Sequence, residues 1–482
     1  MPKRRIDLTP PVSQTSLVES QQLGERFAAI RAEQGVPVEF PPEVLAEASS
    51  AAASADLPGR DETAVPFLTI DPPGSMDLDQ ALHIERDGEG YRVRYAIADV
   101  PAFVRPGGAV DLEARRRGQT VYAPDQRTPL HPPDLSEGAA SLLPGEVRPA
   151  YVWDMRLASD GEGTAVEVYR ALVRSQERHD YRVVQDAIDA GGADERLMLL
   201  REVGERRIAL ERSRGGASLP MPEQEVTEDE HGHYRLHFRP PVPAEDWNAQ
   251  ISLMTGMAAA EIMLKGGVGI LRTMPAPEPE AVTRFRREAR ALGVEWRDGQ
   301  PYGEFLRSLD RNNPRHLGLI HEATALFRGA GYTPFAGESP LQPAHAAVAA
   351  PYAHVTAPLR RLVDRFGLVV CEALCRGGDV PDWVREALPV LPETMQASDR
   401  VASAVERACA DAVEAAVLED RVGEMFEAVV VDVRNRSGVV LQVQEPAVLA
   451  VADGSAGLGS TVYARLVAAE ISSGTVRFEL EV

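Results

Sequence analysis

The stretch TIDPPGSMDLDQAL, residues 69–82, places Asp71, Asp77 and Asp79 within one bend, directly after the apolar run AVPFLTI. Carboxylates this close repel one another, and removing them from water is costly. A chain with that charge beside a strand-like run must leave the bend solvated or fold it around a cation. Three readings follow. A calcium loop starting at Asp71 needs Gly sixth and Glu twelfth, but those positions are Met76 and Leu82; starting at Asp77 fails at Ala81. A solvated acidic turn is the plain alternative, since Asp and Ser are common in turns. The third reading is a magnesium site for phosphoryl chemistry, with oxygen ligands from carboxylates, water and substrate. In an extended chain Asp77 and Asp79 face the same way, and Asp71 returns across Pro-Pro-Gly.

A phosphate site needs cations, and YAHVTAPLRRLVDRF, residues 352–366, offers them. Pro358 suits the first turn of a helix, with Arg360 and Arg361 in the next. Such an arginine can neutralise charge on a reacting phosphate. The alternative is an ordinary ion pair of Arg360 or Arg361 with Asp364.

The remaining chain reads as three regions. SLVESQQLGERFAAIRAEQG, with Leu17, Leu23, Phe27 and Ile30 at helical spacing, and FPPEVLAEASSAAAS predict two short helices within 1–60, a separate helical domain that resembles a helix-turn-helix. From 61 to 420 the pattern mixes strands and helices. QALHIER and YRVRYAIADV alternate around DGEG, which predicts a hairpin. A Pro/Gly-rich region follows at 105–150, and helices are predicted at 246–264, 316–327, 357–374 and 394–420. From 421 to 482, short β-branched runs separated by NRSG, EPA and ADGSAG predict a small five-stranded barrel of OB type. No apolar run is long enough to span a membrane. MPKRRIDLTPPVSQ lacks the apolar core of a secretory signal, and three sparse cysteines suit a reducing, cytoplasmic setting.

The net charge of −22 argues against a generally polyanion-binding surface. Lysine occurs only at Lys3 and Lys265, so 49 of the 51 basic residues are arginine (51 less 2). Arginine is the better fork for phosphate, and an acidic protein can still line one channel with it; Arg115, Arg116 and Arg117 are candidates for such a wall, or else sit on a solvated face.

Taken together, the two charged stretches resemble the ribonuclease II (RNB) family of exoribonucleases. Its first signature, T-I-D-x-x-x-S-x-D-x-D-D-A-L, is matched by Thr69, Ile70, Asp71, Ser75, Asp77, Asp79, Ala81 and Leu82. Its second, H-F-T-S-P-I-R-R-Y-x-D, resembles His354, Thr356, Pro358, Leu359, Arg360, Arg361 and Asp364. The segment between them, 96–150, is also similar, and the tail resembles the S1-type domain of that family. The resemblance implies an α+β multidomain protein: an RNB catalytic domain with a mixed sheet surrounded by helices, then an OB-fold barrel. It implies a processive, Mg²⁺-dependent 3′→5′ hydrolytic exoribonuclease, with Mn²⁺ as an alternative ion. Single-stranded RNA would be its partner, with no membrane or protein partner and a monomeric state.

By the same resemblance Asp71, Asp77 and Asp79 would be catalytic metal ligands and Arg360 would stabilise the transition state. Tyr122, Tyr181, Thr356, Arg361 and Glu414 would contact RNA. Four departures stand against the pattern. Gln80 replaces its fourth aspartate and would be a weaker, uncharged metal ligand. Leu219, in RGGASLP, stands where an aromatic clamp is expected. Ala249-Gln250 replaces a glutamate pair, and the helical start replaces cold-shock-like domains. Gln80 and the missing aromatic clamp support one rival, a catalytically inactive RNA-binding protein of the same fold; a regulator built on the N-terminal helices is a third reading.

Overall fold

The computed structural model describes residues 14–221, 223–228, 234–239, 241–434 and 438–481. The segment 1–13, the Leu17 side chain and the tip of the NRSG turn lie outside the described residues.

The alternating runs after residue 66 form a closed five-stranded barrel: β1 (Phe67–Ile70), β2 (Gln80–Asp87), β3 (Gly90–Ala98), β4 (Val147–Leu157) and β5 (Gly163–His179). Successive strands are antiparallel, and a parallel pairing of β1 with β5 closes the ring. The expected hairpin is present, with Asp87 opposite Gly90. Gly90 is required there, because a Cβ would lie 2.1 Å from the Leu157 carbonyl oxygen. Tyr91, Val93, Tyr95 and Ile97 of β3 face the main core; Ala96 and Ala98 face a second one. Period-two alternation thus splits one strand between two apolar clusters.

Among the described residues, twelve helices surround this barrel and its S1-like neighbour: α1 (Gln14–Glu33), α2 (Pro42–Ala53), α3 (Ala109–Arg117), α4 (Tyr181–Asp189), α5 (Glu195–Arg214), α6 (Pro243–Gly266), α7 (Pro279–Ala291), α8 (Tyr302–Arg307), α9 (Pro314–Ala323), α10 (Leu362–Cys375), α11 (Asp382–Ala387) and α12 (Leu391–Leu418). Helices α5, α6 and α10 bury Leu200, Ile251 and Phe366 against the β3 side of the barrel. The Pro/Gly-rich region holds α3, a short hairpin (Val121–Tyr122 with Arg127–Thr128) and one turn of π-helix.

A second closed barrel ends the chain: β6 (Met425–Arg434), β7 (Gly438–Val443), β8 (Val448–Asp453), β9 (Thr461–Glu470) and β10 (Thr475–Leu480). Its five strands match the expected OB-type tail. Its core centres on Phe426 and Phe478, packed edge to face at 5.6 Å.

Two local expectations differ from the structure. The N-terminal helices do not share one core, as a helix-turn-helix pair must. Leu23, Phe27 and Ile30 of α1 pack with α12 and the second barrel, whereas Val44 and Ala48 of α2 pack beside the first. Helix α10 begins at Leu362 rather than around Pro358. The backbone N–H groups of Ala357 and Leu359 donate instead to the carboxylates of Asp364 and Asp79, which hold residues 357–361 as a turn.

Among the described residues no helix is long and apolar enough to cross a membrane. The three cysteines are free thiols.

Candidate active site

The acidic bend runs from the end of β1 to the start of β2. Gly74 turns it at φ +79°, a conformation that favours glycine. Ser141, from the segment before β4, clamps it: its Oγ accepts from Leu78 N (2.9 Å) and donates to the Met76 carbonyl (2.6 Å). The bend is therefore built rather than loosely solvated. Leu78 is fully buried and Asp79 nearly so.

The Arg360 turn lies directly against it. Asp79 accepts from Leu359 N through Oδ1 (2.7 Å) and from Arg360 Nε through Oδ2 (3.2 Å). Burial pushes the Asp79 carboxyl well above the ordinary carboxylate range; Arg360 and the Leu359 N–H oppose this, while Asp77 and Asp364 add to it. A further positive charge beside Asp79 would hold it ionised. The Arg360 side chain remains 44% exposed, so the guanidinium is anchored at one nitrogen and open beyond it.

The short hairpin closes a third side. Tyr122 and Arg127 are cross-strand partners, and both reach Asp77: Arg127 Nη1 at 2.6 Å and the Tyr122 hydroxyl at 3.4 Å. Arg127 also pairs with Glu137 at 2.8 Å. Tyr122 is half exposed. The hairpin is tied to the turn through Thr120 N, which donates to the Arg360 carbonyl. Helix α1 braces its tip, where Arg31 grips Asp125 with two bonds at 2.6 and 2.8 Å.

Asp71 sits at the end of β1, its N–H bonded to the His179 carbonyl. Burial pushes the Tyr95 phenol up, and the charges of Tyr181, Asp71 and Asp79 add to this. Oxygen-only donors suit a hard cation such as Mg²⁺. Among the described residues, however, no three acidic, His or Cys side chains are grouped tightly enough to hold a metal. Arginine charge now answers Asp77 and Asp79.

Several candidate residues have other duties. Gln80 is engaged at both ends: Tyr95 donates to its oxygen, and its nitrogen donates to the Thr356 carbonyl. Thr356 is buried and bonds Ser252 through its hydroxyl. Arg361 pairs with the buried Asp364 at 2.5 and 2.8 Å, the ordinary ion pair that the spacing allowed. Leu219 is partly buried and packs on the satellite cluster of Phe285, Phe305 and Leu306. Glu414 is buried in α12, where it accepts from Gln224 and from Leu449 N and so links the helix to the second barrel. Tyr181 opens α4, and its hydroxyl accepts from Asn248. Arg115, Arg116 and Arg117 pair with Asp111 and Glu113 of their own helix, the ordinary helical pairing, and Arg116 remains exposed.

Sequence reasoning missed Arg127 and Ser141. Arg127 had a signal: YAPDQR is short enough for a tight hairpin, which sets Tyr122 opposite Arg127. Ser141 had none.

Residues 60–372 match the RNB domain, and residues 424–481 match the RNase II-type exonuclease C-terminal S1 domain. Ribonuclease R of Escherichia coli is 28% identical over 395 residues, covering 76% of this chain and 48% of that protein. The chain thus spans about half the length of that relative. Among solved structures, the apo form of Mycoplasma genitalium RNase R superposes with a TM-score of 0.85 at 18% identity, covering 95% of this chain and 78% of that one. Yeast Ssd1, described as a pseudonuclease, has the same fold, with a TM-score of 0.68 at 18% identity over 87% of this chain and 54% of that one. With the family match spanning more than half its length, this chain belongs to the RNB family and carries an S1 domain behind its catalytic fold.

Proposed function

We propose that the chain is a hydrolytic exoribonuclease that shortens single-stranded RNA processively from the 3′ end and releases nucleoside 5′-monophosphates, with Mg²⁺ as its metal. One observation carries this reading: the two family signatures meet at Asp79 and Arg360, leaving a half-exposed guanidinium beside a half-exposed tyrosine. The relatives named ribonuclease R support the reaction class.

Each group has a physical task. Tyr122 offers a ring face on which any terminal base can stack, which suits sequence-independent degradation. Arg360, oriented by Asp79, is placed to neutralise charge that builds on the scissile phosphate. Asp71, Asp77 and Asp79 would hold Mg²⁺, or Mn²⁺ in its place, and Arg127 would yield Asp77 to it. When bound, such an ion supplies an activated water and a charge partner for the leaving oxygen. The buried floor of Leu78 and Leu359 shields the Asp79 carboxylate from bulk water and leaves the Arg360 guanidinium half exposed. Free thiols accord with a cytoplasmic location.

A time course on 5′-labelled single-stranded RNA, with Mg²⁺, Mn²⁺ or EDTA, tests the proposal. Metal-dependent shortening from the 3′ end supports it. A second reading, RNA binding without catalysis, is favoured by Gln80 and by the Arg127 grip on Asp77. Tight binding with no shortening under either metal would select it.

A further inference from the structure

Gln80 departs from its family's aspartate, and the structure gives the departure a purpose. Its amide orientation follows from its partners. The Thr356 carbonyl can only accept, so the NH₂ group must face it, at 2.6 Å; the amide oxygen is left for the Tyr95 hydroxyl, at 2.5 Å. Flipping the amide would set two acceptors against each other. Tyr95 is fully buried in β3 and cannot move away. Gln80 lies opposite Ile97 in the β2–β3 register, which makes Tyr95 its diagonal neighbour on the same face.

The bond to Thr356 falls at the root of the turn that carries Arg360. That turn is held at four backbone points: the Thr356 carbonyl by Gln80, Ala357 N by Asp364, Leu359 N by Asp79 and the Arg360 carbonyl by Thr120 N. Two consecutive residues of the acidic bend thus grip the turn, one as acceptor and one as donor. We propose that Gln80 is a positioning residue: its side-chain N–H holds the Thr356 carbonyl and thereby sets Arg360 over the site. A carboxylate at position 80 has no donor for that carbonyl at neutral pH. Restoring the family's aspartate is therefore expected to release the turn rather than repair a metal site.

The inference rests on the exoribonuclease reading for its kinetic readout only. Its test combines that readout with amide hydrogen exchange across residues 353–361, measured in EDTA without turnover. Gln80→Glu keeps the length and the acceptor for Tyr95 but loses the donor. Gln80→Asp restores the family residue, Gln80→Met removes the donor without adding charge, and Tyr95→Phe leaves the Thr356 bond in place. The three Gln80 variants are expected to lose about tenfold in shortening rate at saturating Mg²⁺, and to exchange Ala357 and Leu359 faster by a similar factor. Exchange in β6–β10 should not change. Tyr95→Phe should lose no more than about threefold in rate. The proposal is overturned if the 353–361 amides are unchanged in Gln80→Met, or if Gln80→Asp shortens RNA as fast as the parent. If the parent itself shortens no RNA, the function reading fails and the exchange result alone decides the role of Gln80.

Discussion

Two five-stranded barrels share one chain, and each is closed by a single parallel pairing. Their interiors differ. The first buries charge at its ends: Asp79 against Arg360, and Asp99 against Arg170. Among the described residues, the strands of the second bury one polar side chain, Gln442, which bonds His321 of α9. Its remaining core is apolar. Closing a barrel needs only alternation and hydrogen bonds. Chemistry needs charges held out of water, and in the first barrel that cost falls at the strand ends.

The contrast can be broken or sharpened by experiment. The largest effect is expected from Asp79→Asn. It removes the charge that orients Arg360 and should slow RNA shortening by about 10²–10³-fold, while circular dichroism shows the fold intact. A rate within a few-fold of the parent would remove the first barrel's claim to the chemistry. Phe478→Ala strikes the second barrel, where burial is the whole design. Denaturant unfolding should show a loss of about 3–5 kcal/mol. A loss below 1 kcal/mol, in the same range of surface substitutions, would mean that this core is not what holds the barrel.

Asp99 makes the same contrast through pH. Burial, opposed by Arg170, raises its carboxyl from 3.8 to about 6. A carboxyl raised in the folded state favours folding while protonated. Its contribution is present below the ordinary value and fades as pH rises from about 4 to about 6. The span is at most about 3 kcal/mol. Asp99→Asn should flatten that part of the stability–pH curve, and an unchanged curve would show that the buried charge costs nothing. The smallest effect belongs to Arg31→Ala. Helix α1 touches both halves, with Phe27 in the second barrel's cluster and Arg31 on the Tyr122 hairpin. The variant is expected to raise KM for short RNA a few-fold, about 1 kcal/mol, with kcat nearly unchanged. A fall in kcat without change in KM would make α1 part of the reacting centre.

Legibility in the sequence followed the range of the interactions. The β2–β3 hairpin, helices α6 and α12 and the five strands of the tail are written in local period and turn residues, and each is present near its expected bounds. The acidic bend and the Arg360 segment were readable because each is a contiguous motif. What they do to each other was not. Nothing local says that Leu359 N and Ala357 N will be taken by carboxylates, which delays α10 to Leu362. The split of α1 and α2 between two cores, the burial of Glu414 and the packing of Leu219 all depend on partners far along the chain. Gln80 looked like a weakened ligand because its two partners, Tyr95 and Thr356, are invisible from its neighbours.

The grip of Asp79 on Leu359 spans 280 residues of chain. Closing so long a loop is entropically slow to be rewarded, although the cost grows only with the logarithm of its length. At about 5–20 residues per second of synthesis, the acidic bend waits some tens of seconds before the arginine it orients exists at all. A half-made chain can fold its first hairpin but cannot assemble Asp79 with Arg360. A protein proposed to destroy RNA is thus unarmed until Arg360, late in the chain, has been made.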